Sequence, residues 1–370
     1  MGAPASDQIE ISVFGPGYGE STAVHIGSGS WIIVDSCIDS ETKSPASLLY
    51  LQSIGVDVST AVKLVVTTHW HDDHIRGLSK VVQACSGAKF CLAAAVATKE
   101  FLETLESYDE RHGIIAGSGT SELCATLKQV REDGRPAVRA LASKRLMQLS
   151  ANELSHGGDC EVWSLSPSDM QFDLSLRELG NLMPQEREAK RRAPEQGRND
   201  LSVVIWVRIG ENTLLLGADL EEPGDPSLGW SAIVGHAERP QGKAQFFKIP
   251  HHGSANGHHA KTWSELLTQQ PASVVTPWNR GSGLPTIDDL KRIRKLSGAA
   301  FSTSQFKSVR GQKRMAVVEK QIKETVGRLG SAQFQTGHVR FRNGGIVNPA
   351  TWCVESFNGA CHIDSLIGNA

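Results

Sequence analysis

No run of apolar residues in this chain is long enough to cross a membrane, and the polar opening, Met1 to Glu10, does not read as a signal peptide. Nor is one sign of charge in excess: 38 basic against 40 acidic side chains leave a net charge of −2. Without a global basic field, any contact with nucleic acid has to be local, and no membrane contact is expected. The seven cysteines (Cys37, Cys85, Cys91, Cys124, Cys160, Cys353 and Cys361) are an odd set without the spacing of a disulfide scaffold. Reduced thiols in a cytoplasmic compartment are therefore expected. A phosphate-cradling P-loop is also missing. Gly15-Pro16-Gly17-Tyr18-Gly19-Glu20 has the glycines for a close backbone approach, but the strand-like Ser21 to Ile26 follows it in place of a helix. What remains is globular: 39% apolar over 370 residues, enough for two domains or one large α/β domain with insertions.

What is present in abundance is chemistry at one point. Thr67-Thr68-His69-Trp70-His71-Asp72-Asp73-His74 packs three histidines and two aspartates into six positions, directly after the apolar run Val62 to Val66. That run is short, β-branched and bounded by turn-formers, so it reads as a buried strand. A strand ending in imidazoles and carboxylates delivers several ligand atoms to one edge of a sheet. Imidazole with carboxylate suits zinc, and also manganese or iron(II). A lone histidine there would be an ordinary loop residue; this density argues for a metal site. Trp70 and Asp72 alternate with the ligand types and are expected to pack.

Two further strand tips carry the same residue types. The pair Leu201 to Ile209 and Asn212 to Leu216 ends at Gly217-Ala218-Asp219, and the strand Ala244 to Ile249 ends at Pro250-His251-His252-Gly253-Ser254. Asp219 alone would be a cap and His251 a satisfied loop histidine. Behind the first cluster, both become candidate ligands, because α/β scaffolds assemble sites from the ends of different strands. Asp35, closing the strand Trp31 to Val34, is either a turn residue or a support for a ligand imidazole. Between the strand Ala88 to Leu92 and about Ser155 the pattern turns helical (Ala93 to Tyr108, Ser121 to Arg131, Pro136 to Leu149), which reads as an insertion forming a wall or lid. The charged stretch Ser168 to Asn199 carries Arg187, Lys190, Arg191, Arg192 and Arg198, a solvated loop or a contact for an anionic substrate. A basic helix, Lys313 to Gly327, and short strands at Gly337 to Arg342 and Thr351 to Val354 complete the chain.

The first cluster resembles the H-x-H-x-D-H signature of the metallo-β-lactamase fold superfamily. Within it, the blocks look most like the DNA-uptake competence proteins of the ComEC type and their soluble relatives. Gly17-Tyr18-Gly19-Glu20-Ser21 resembles their G-x-G-D opening, Asn199-Asp200-Leu201-Ser202 their N-x-x-S strand, and Gly217-Ala218-Asp219-Leu220-Glu221 their G-D-L-E turn. Lys248-Ile249-Pro250-His251-His252-Gly253-Ser254 resembles their V-P-H-H-G-S block. The resemblance implies a four-layer αβ/βα sandwich over residues 8–301, with a helical insertion at about 93–155 and a C-terminal extension, 302–370, packed on the core. It also implies two divalent metal ions, zinc or manganese, between two sheets: His69 and His71 on one, Asp73, His74 and His251 on the other, and Asp219 bridging.

Two departures stand out. No histidine occurs at the strand end Ser164-Leu165-Ser166-Pro167, where many members place a further ligand. In the turn Asn279-Arg280-Gly281-Ser282-Gly283-Leu284-Pro285, Leu284 stands where the competence family has a histidine.

The expected activity is metal-dependent hydrolysis of a phosphodiester, with nucleic acid as one such partner. Asp73 would act as base with Asp219 beside it, and His252 would contact the substrate or protonate the leaving oxygen. Substrate contacts are expected from Lys190, Arg191, Arg192, His258 and His259. The alternatives are a carbon ester, lactone or thioester hydrolase, and a catalytically reduced subunit bound to a protein partner through the insertion.

Overall fold

The computed structural model of the protein describes residues 2–97, 119–135, 137–154, 158–182, 199–280, 283–305, 336–344 and 352–368. The short β-branched runs of the first third become β1 (Glu10–Gly15), β2 (Ser21–Gly27), β3 (Ser30–Val34), β4 (Val62–Thr67) and β5 (Lys89–Ala93), and β6 (Ala137–Ala140) joins them at the edge. The chain then crosses to a second sheet made of β7 (Lys144–Leu149), β8 (Cys160–Ser164), β9 (Ile205–Ile209), β10 (Asn212–Leu216), β11 (Ala244–Lys248), β12 (Leu267–Val275) and β13 (Ala299–Ser302). It returns to the first sheet with β14 (Gly337–Arg342) and β15 (Cys353–Phe357), and β16 (Cys361–His362) closes the edge of the second. Each sheet has eight strands among the described residues.

The period of two along a strand sorts the side chains into layers. Leu214, Leu216, Phe246 and Val274 share one core with the first sheet, whereas their neighbours Leu215, Phe247 and Val275 belong to a second core. That second core also holds Trp230 and Ile233 of the helix Gly229–Gly235 and Leu290 and Ile293 of the helix Ile287–Leu296. On the far side of the first sheet lie Leu48 and Leu51 of the helix Ala46–Ser53, and Leu78, Val81 and Val82 of the helix Leu78–Ala84. The order helix, sheet, sheet, helix is the four-layer αβ/βα sandwich. Within it β3 to β6 run parallel, as do β10 to β13. Parallel strands place all their carboxyl ends on one edge, which is where β4, β10 and β11 deliver their loops.

One stretch departs from expectation. Within the stretch Pro136 to Leu149, read as a helix, Ala137–Ala140 and Lys144–Leu149 form β6 and β7 instead. Its Ala, Arg, Lys, Leu and Met are good helix formers, but β6 completes a parallel ladder on β5 and β7 an antiparallel ladder on β8. Burial of Leu146 and Met147, and Arg145 stacked 5.5 Å from the Trp163 ring, reward the strand. The helix expected at Ser121 to Arg131 is present as Gly119–Glu132, while most of Ala93 to Tyr108 and all of Lys313 to Gly327 lie outside the described residues. The C-terminal extension expected from 302 contributes strands to both sheets: β14 pairs with β1 and β16 with β13. No helix among the described residues is long and apolar enough to cross a membrane.

β14 carries a buried histidine. His338 stacks between Phe14 (4.5 Å) and Phe357 (5.2 Å), and its Nε2 lies 2.9 Å from Ser12 Oγ. Burial, with Arg340 and Arg342 nearby, pushes its pKa down to about 3. The folded value lies below that of free histidine, so the unfolded chain takes up the proton first as pH falls. The stabilisation is complete above about pH 6.5 and declines toward pH 3, by on the order of 1 kcal/mol per unit. His338→Gln should flatten the acid limb of a urea-unfolding profile between about pH 6 and pH 4; a slope matching wild type would refute this account.

Candidate metal centre

The site begins with what the end of β4 has to satisfy. Thr68 donates from its backbone N–H to Asp35 Oδ1 (2.7 Å) and from its hydroxyl to Oδ2 (2.6 Å). Asp35 is buried with φ +59, and its Oδ2 also accepts from His74 Nδ1 at 2.8 Å. The carboxylate therefore fixes the His74 ring and turns Nε2 toward the space between the sheets. A backbone bond from Val203 N–H to Thr68 O, 3.1 Å, brings the second sheet against the same point.

There Asp73, His74, Asp219 and His252 converge, each buried, with one potential ligand atom apiece inside 4.8 Å of the others. His74 Nε2 lies 3.3 Å from Asp219 Oδ1 and 3.6 Å from Asp73 Oδ2. His252 Nε2 lies 3.1 Å from Asp73 Oδ2 and 3.3 Å from Asp219 Oδ2, while its Nδ1 donates to Thr276 O at 2.9 Å. Burial alone would lower both imidazoles; the surrounding carboxylates outweigh it, raising His252 to about 10 and His74 well above the usual histidine range. Burial would likewise raise Asp219, yet His252 and His74 hold it well below the ordinary carboxylate value. Protons on two imidazoles thus stand where a cation would balance two carboxylates.

His69 is the next neighbour, buried, its ring 4.2 Å from that of His74 and 4.9 Å from that of His71. Its pKa is lowered well below the usual value, by burial first and then by His74 and His71. Among the described residues, His69 and His71 join no group of three potential ligand atoms at such close range. The β8 end, which lacks a histidine, does not help. Ser164 donates to Leu141 O and Ser166 to Ser202 O, so both hydroxyls tie loops together.

Four buried atoms here (His69 Nε2, Asp73 Oδ2, His74 Nε2 and Asp219 Oδ1) have no hydrogen-bond partner within the protein. Buried polar atoms are rarely left so, and each costs roughly 1–3 kcal/mol. Nitrogen and oxygen donors converging without partners fit a divalent cation of zinc or manganese type.

Three sequence expectations are corrected by this geometry. His251 was placed with Asp73 and His74, but His252 is the imidazole that turns in. Both residues adopt positive φ (46° and 52°) after Pro250, a twist that sends the His251 ring sideways. His251 instead meets Asn256 Oδ1 at 3.0 Å and Asn199 Nδ2 at 3.4 Å, on the wall of the cavity. The His252 ring, expected to contact the substrate, instead faces the cluster. His258 and His259 lie beyond the turn Ala255–Gly257 and do not line the cavity: His258 sits by Trp263 and Arg292, and His259 bonds Thr262. Lys190, Arg191 and Arg192 lie outside the described residues.

The cavity over the cluster measures about 360 Å³ and is lined by His71, Asp72, Asp73, Asn199, Asp219, His251 and His252, with Tyr18, Trp278 and Leu284 on one side. Sequence reasoning did not single out Tyr18 or Trp278, which meet only through the fold. It also passed over a buried ion pair behind His74, Lys248 with Glu20. A lysine inside Phe246-Phe247-Lys248-Ile249 was the available signal, since buried lysines need partners.

Residues 14–121 match the family model described as Metallo-beta-lactamase superfamily. No curated protein matches the chain. Solved structures it resembles include the metallo-beta-lactamase fold protein YhfI from Bacillus subtilis, at 11% identity over 80% of this chain and 95% of that one, TM-score 0.39. MEM-A1, a subclass B3 metallo-beta-lactamase from a soil metagenome library, gives 14% over 68% and 80%, TM-score 0.33. Zinc-bound PqqB from Methylobacterium extorquens gives 13% over 62% and 59%, TM-score 0.30. The stretch 14–121, which takes in β2 to β5 and the His69–His74 loop, is the part of this two-sheet sandwich that is similar to the metallo-beta-lactamase superfamily.

Proposed function

We propose that the protein is a metal-dependent hydrolase acting on a phosphodiester. The observation that carries the metal dependence is the set of buried ligand atoms converging from three strand tips, several of them without a hydrogen-bond partner. Asp73, His74, Asp219 and His252 would hold one divalent ion, and His69 and His71, with Asp219 beside them, a second and weaker one. A cation bound there lowers the pKa of water and neutralises charge on an attacked phosphoryl oxygen. The chain's own residues do the rest. Asp35 fixes the His74 ring and Thr276 O fixes His252. His251, held through Nδ1 by Asn256 and with Nε2 facing Asn199 Nδ2 at 3.4 Å, stands on the cavity wall, where it would contact the substrate.

The phosphodiester is favoured over an acyl substrate by the His-His-Gly-Ser block, which resembles that of the competence-type proteins, and by the guanidinium group of Arg280 over Tyr18 at the cavity.

Metal analysis and turnover test this together. After dialysis the protein should retain about one ion per chain, with a second taken up only in excess zinc or manganese. The loaded protein should hydrolyse bis-p-nitrophenyl phosphate. A preparation that binds no metal would leave a non-catalytic subunit, and a loaded one that turns over nitrocefin or a lactone but no phosphodiester would leave an acyl hydrolase.

A further inference from the structure

One side of the cavity has a character the ligand cluster does not require. Tyr18 is presented by a loop pinned at both ends: Asn279 N–H donates to Gly17 O at 2.8 Å, and Glu20 N–H donates to Asp73 O at 2.8 Å. Gly17 (φ +81) and Gly19 (φ +102) permit this. A Cβ at Gly17 would collide with Asn279 Nδ2, and one at Gly19 would come within 2.9 Å of Asp73 O. Trp278 is pinned too, by reciprocal backbone bonds with Leu284 of 2.9 and 2.8 Å. The two rings lie 4.9 Å apart, and Trp278 lies 5.4 Å from the ring of His252.

Two half-buried aromatic rings and Leu284 therefore form a fixed apolar wall leading to the cluster. Arg280 stacks 3.2 Å over the Tyr18 ring, bringing positive charge to the same side, while Arg76, 5.5 Å from that ring, is paired with Asp72 at 2.9 Å. An aromatic wall left half-open to water retains apolar area that a flat ring can cover, and adjacent guanidinium favours an attached anion.

We propose that Tyr18, Trp278 and Leu284 form a subsite for a flat aromatic ring joined to the phosphoryl group that the cluster would receive. This rests on the phosphodiester reading above. It names the class of substrate: an ester of phosphate whose retained group is an aryl ring or a nucleobase, in preference to an alkyl chain.

The test compares phenyl p-nitrophenyl phosphate with methyl p-nitrophenyl phosphate, which share a leaving group and differ only in the retained ester. Stacking on aromatic side chains corresponds to roughly tenfold or more per ring, so the phenyl ester should show about tenfold higher kcat/KM. Trp278→Leu and Tyr18→Leu, which keep apolar volume without the stacking face, should each lower kcat/KM for the phenyl ester more than for the methyl ester and so erase most of that preference. Fluorescence supplies a readout without turnover: phenyl phosphate should quench wild type at lower concentration than methyl phosphate, and Trp278→Phe should lose the quench but keep the binding preference. Equal kcat/KM for the two esters in wild type, or equal losses for both in the variants, overturns the subsite. If neither ester is cleaved, the phosphodiester reading fails by itself, and equal affinities for the two phosphates would then overturn the subsite independently.

Discussion

Asp219→Ala is expected to lower phosphodiester turnover by about a thousandfold or more and to remove the tightly held ion, with the far-UV circular dichroism close to wild type. The two oxygens of Asp219 address different partners, Oδ1 at 3.3 Å from His74 and Oδ2 at 3.3 Å from His252. Deleting the carboxylate leaves a ligand set of one carboxylate and two imidazoles, with a positive charge that nothing balances. In the metal-free protein the same deletion leaves His74 and His252 facing each other across Asp73, which would shed a proton rather than unfold the sheets. Asp219→Asn, which keeps the volume, separates charge from shape and should fail equally in metal retention. If Asp219→Ala keeps its ion, or if Asp219→Asn is as active as wild type, the carboxylate is only a cap on β10.

The second large effect belongs to the pair behind the cluster. Lys248 is 1% exposed and Glu20 4% exposed, and the two form a direct ion pair. Thr276 donates its hydroxyl to Glu20, Lys248 Nζ donates to Ala218 O at 3.3 Å, and Glu20 Oε1 lies 3.7 Å from His74 Nδ1. The pair thus touches the ends of β4, β10, β11 and β12 at once. Removing one partner strands a buried charge, which costs about 3–5 kcal/mol, whereas replacing both by apolar groups is often neutral. Glu20→Gln and Lys248→Met should therefore each lower unfolding free energy by about that amount. Glu20→Leu combined with Lys248→Met should recover most of the stability and still bind zinc more weakly, because the backing of His74 and the Ala218 turn would be gone. Chemical denaturation and zinc titration of the three variants decide it; single variants costing less than about 1 kcal/mol would refute the buried pair.

The strands were legible because each apolar run, such as Val62 to Val66 or Leu214 to Leu216, is continuous and β-branched or aliphatic, with turn residues at both ends. The density of His and Asp at the end of β4 made the centre legible for the same local reason. What escaped depended on distant contacts. Two adjacent histidines offer no local sign of which ring turns inward; consecutive positive φ values after Pro250 decide between His251 and His252. Residues 136–149 have helical composition, and only the open edges of β5 and β8 make them strands. Tyr18 and Trp278 meet because Asn279 is bonded to Gly17, a contact without a local signature.

The route of the chain makes the protein a two-piece lock. Strands β1 to β6 precede the short turn after Ala140, and everything from β7 onward follows it, including β14, which returns to lie along β1 over the whole of Glu10–Gly15. Cut at that turn, the leading piece would hold His69, His71, Asp73 and His74 beside an open edge on β1, and the trailing piece would hold Asp219, His252 and the strand that fits that edge. Neither piece alone can chelate through the four-atom set. The backbone ladder aligns the halves and the ligand cluster latches them, so retention of an ion doubles as a report that the two have closed.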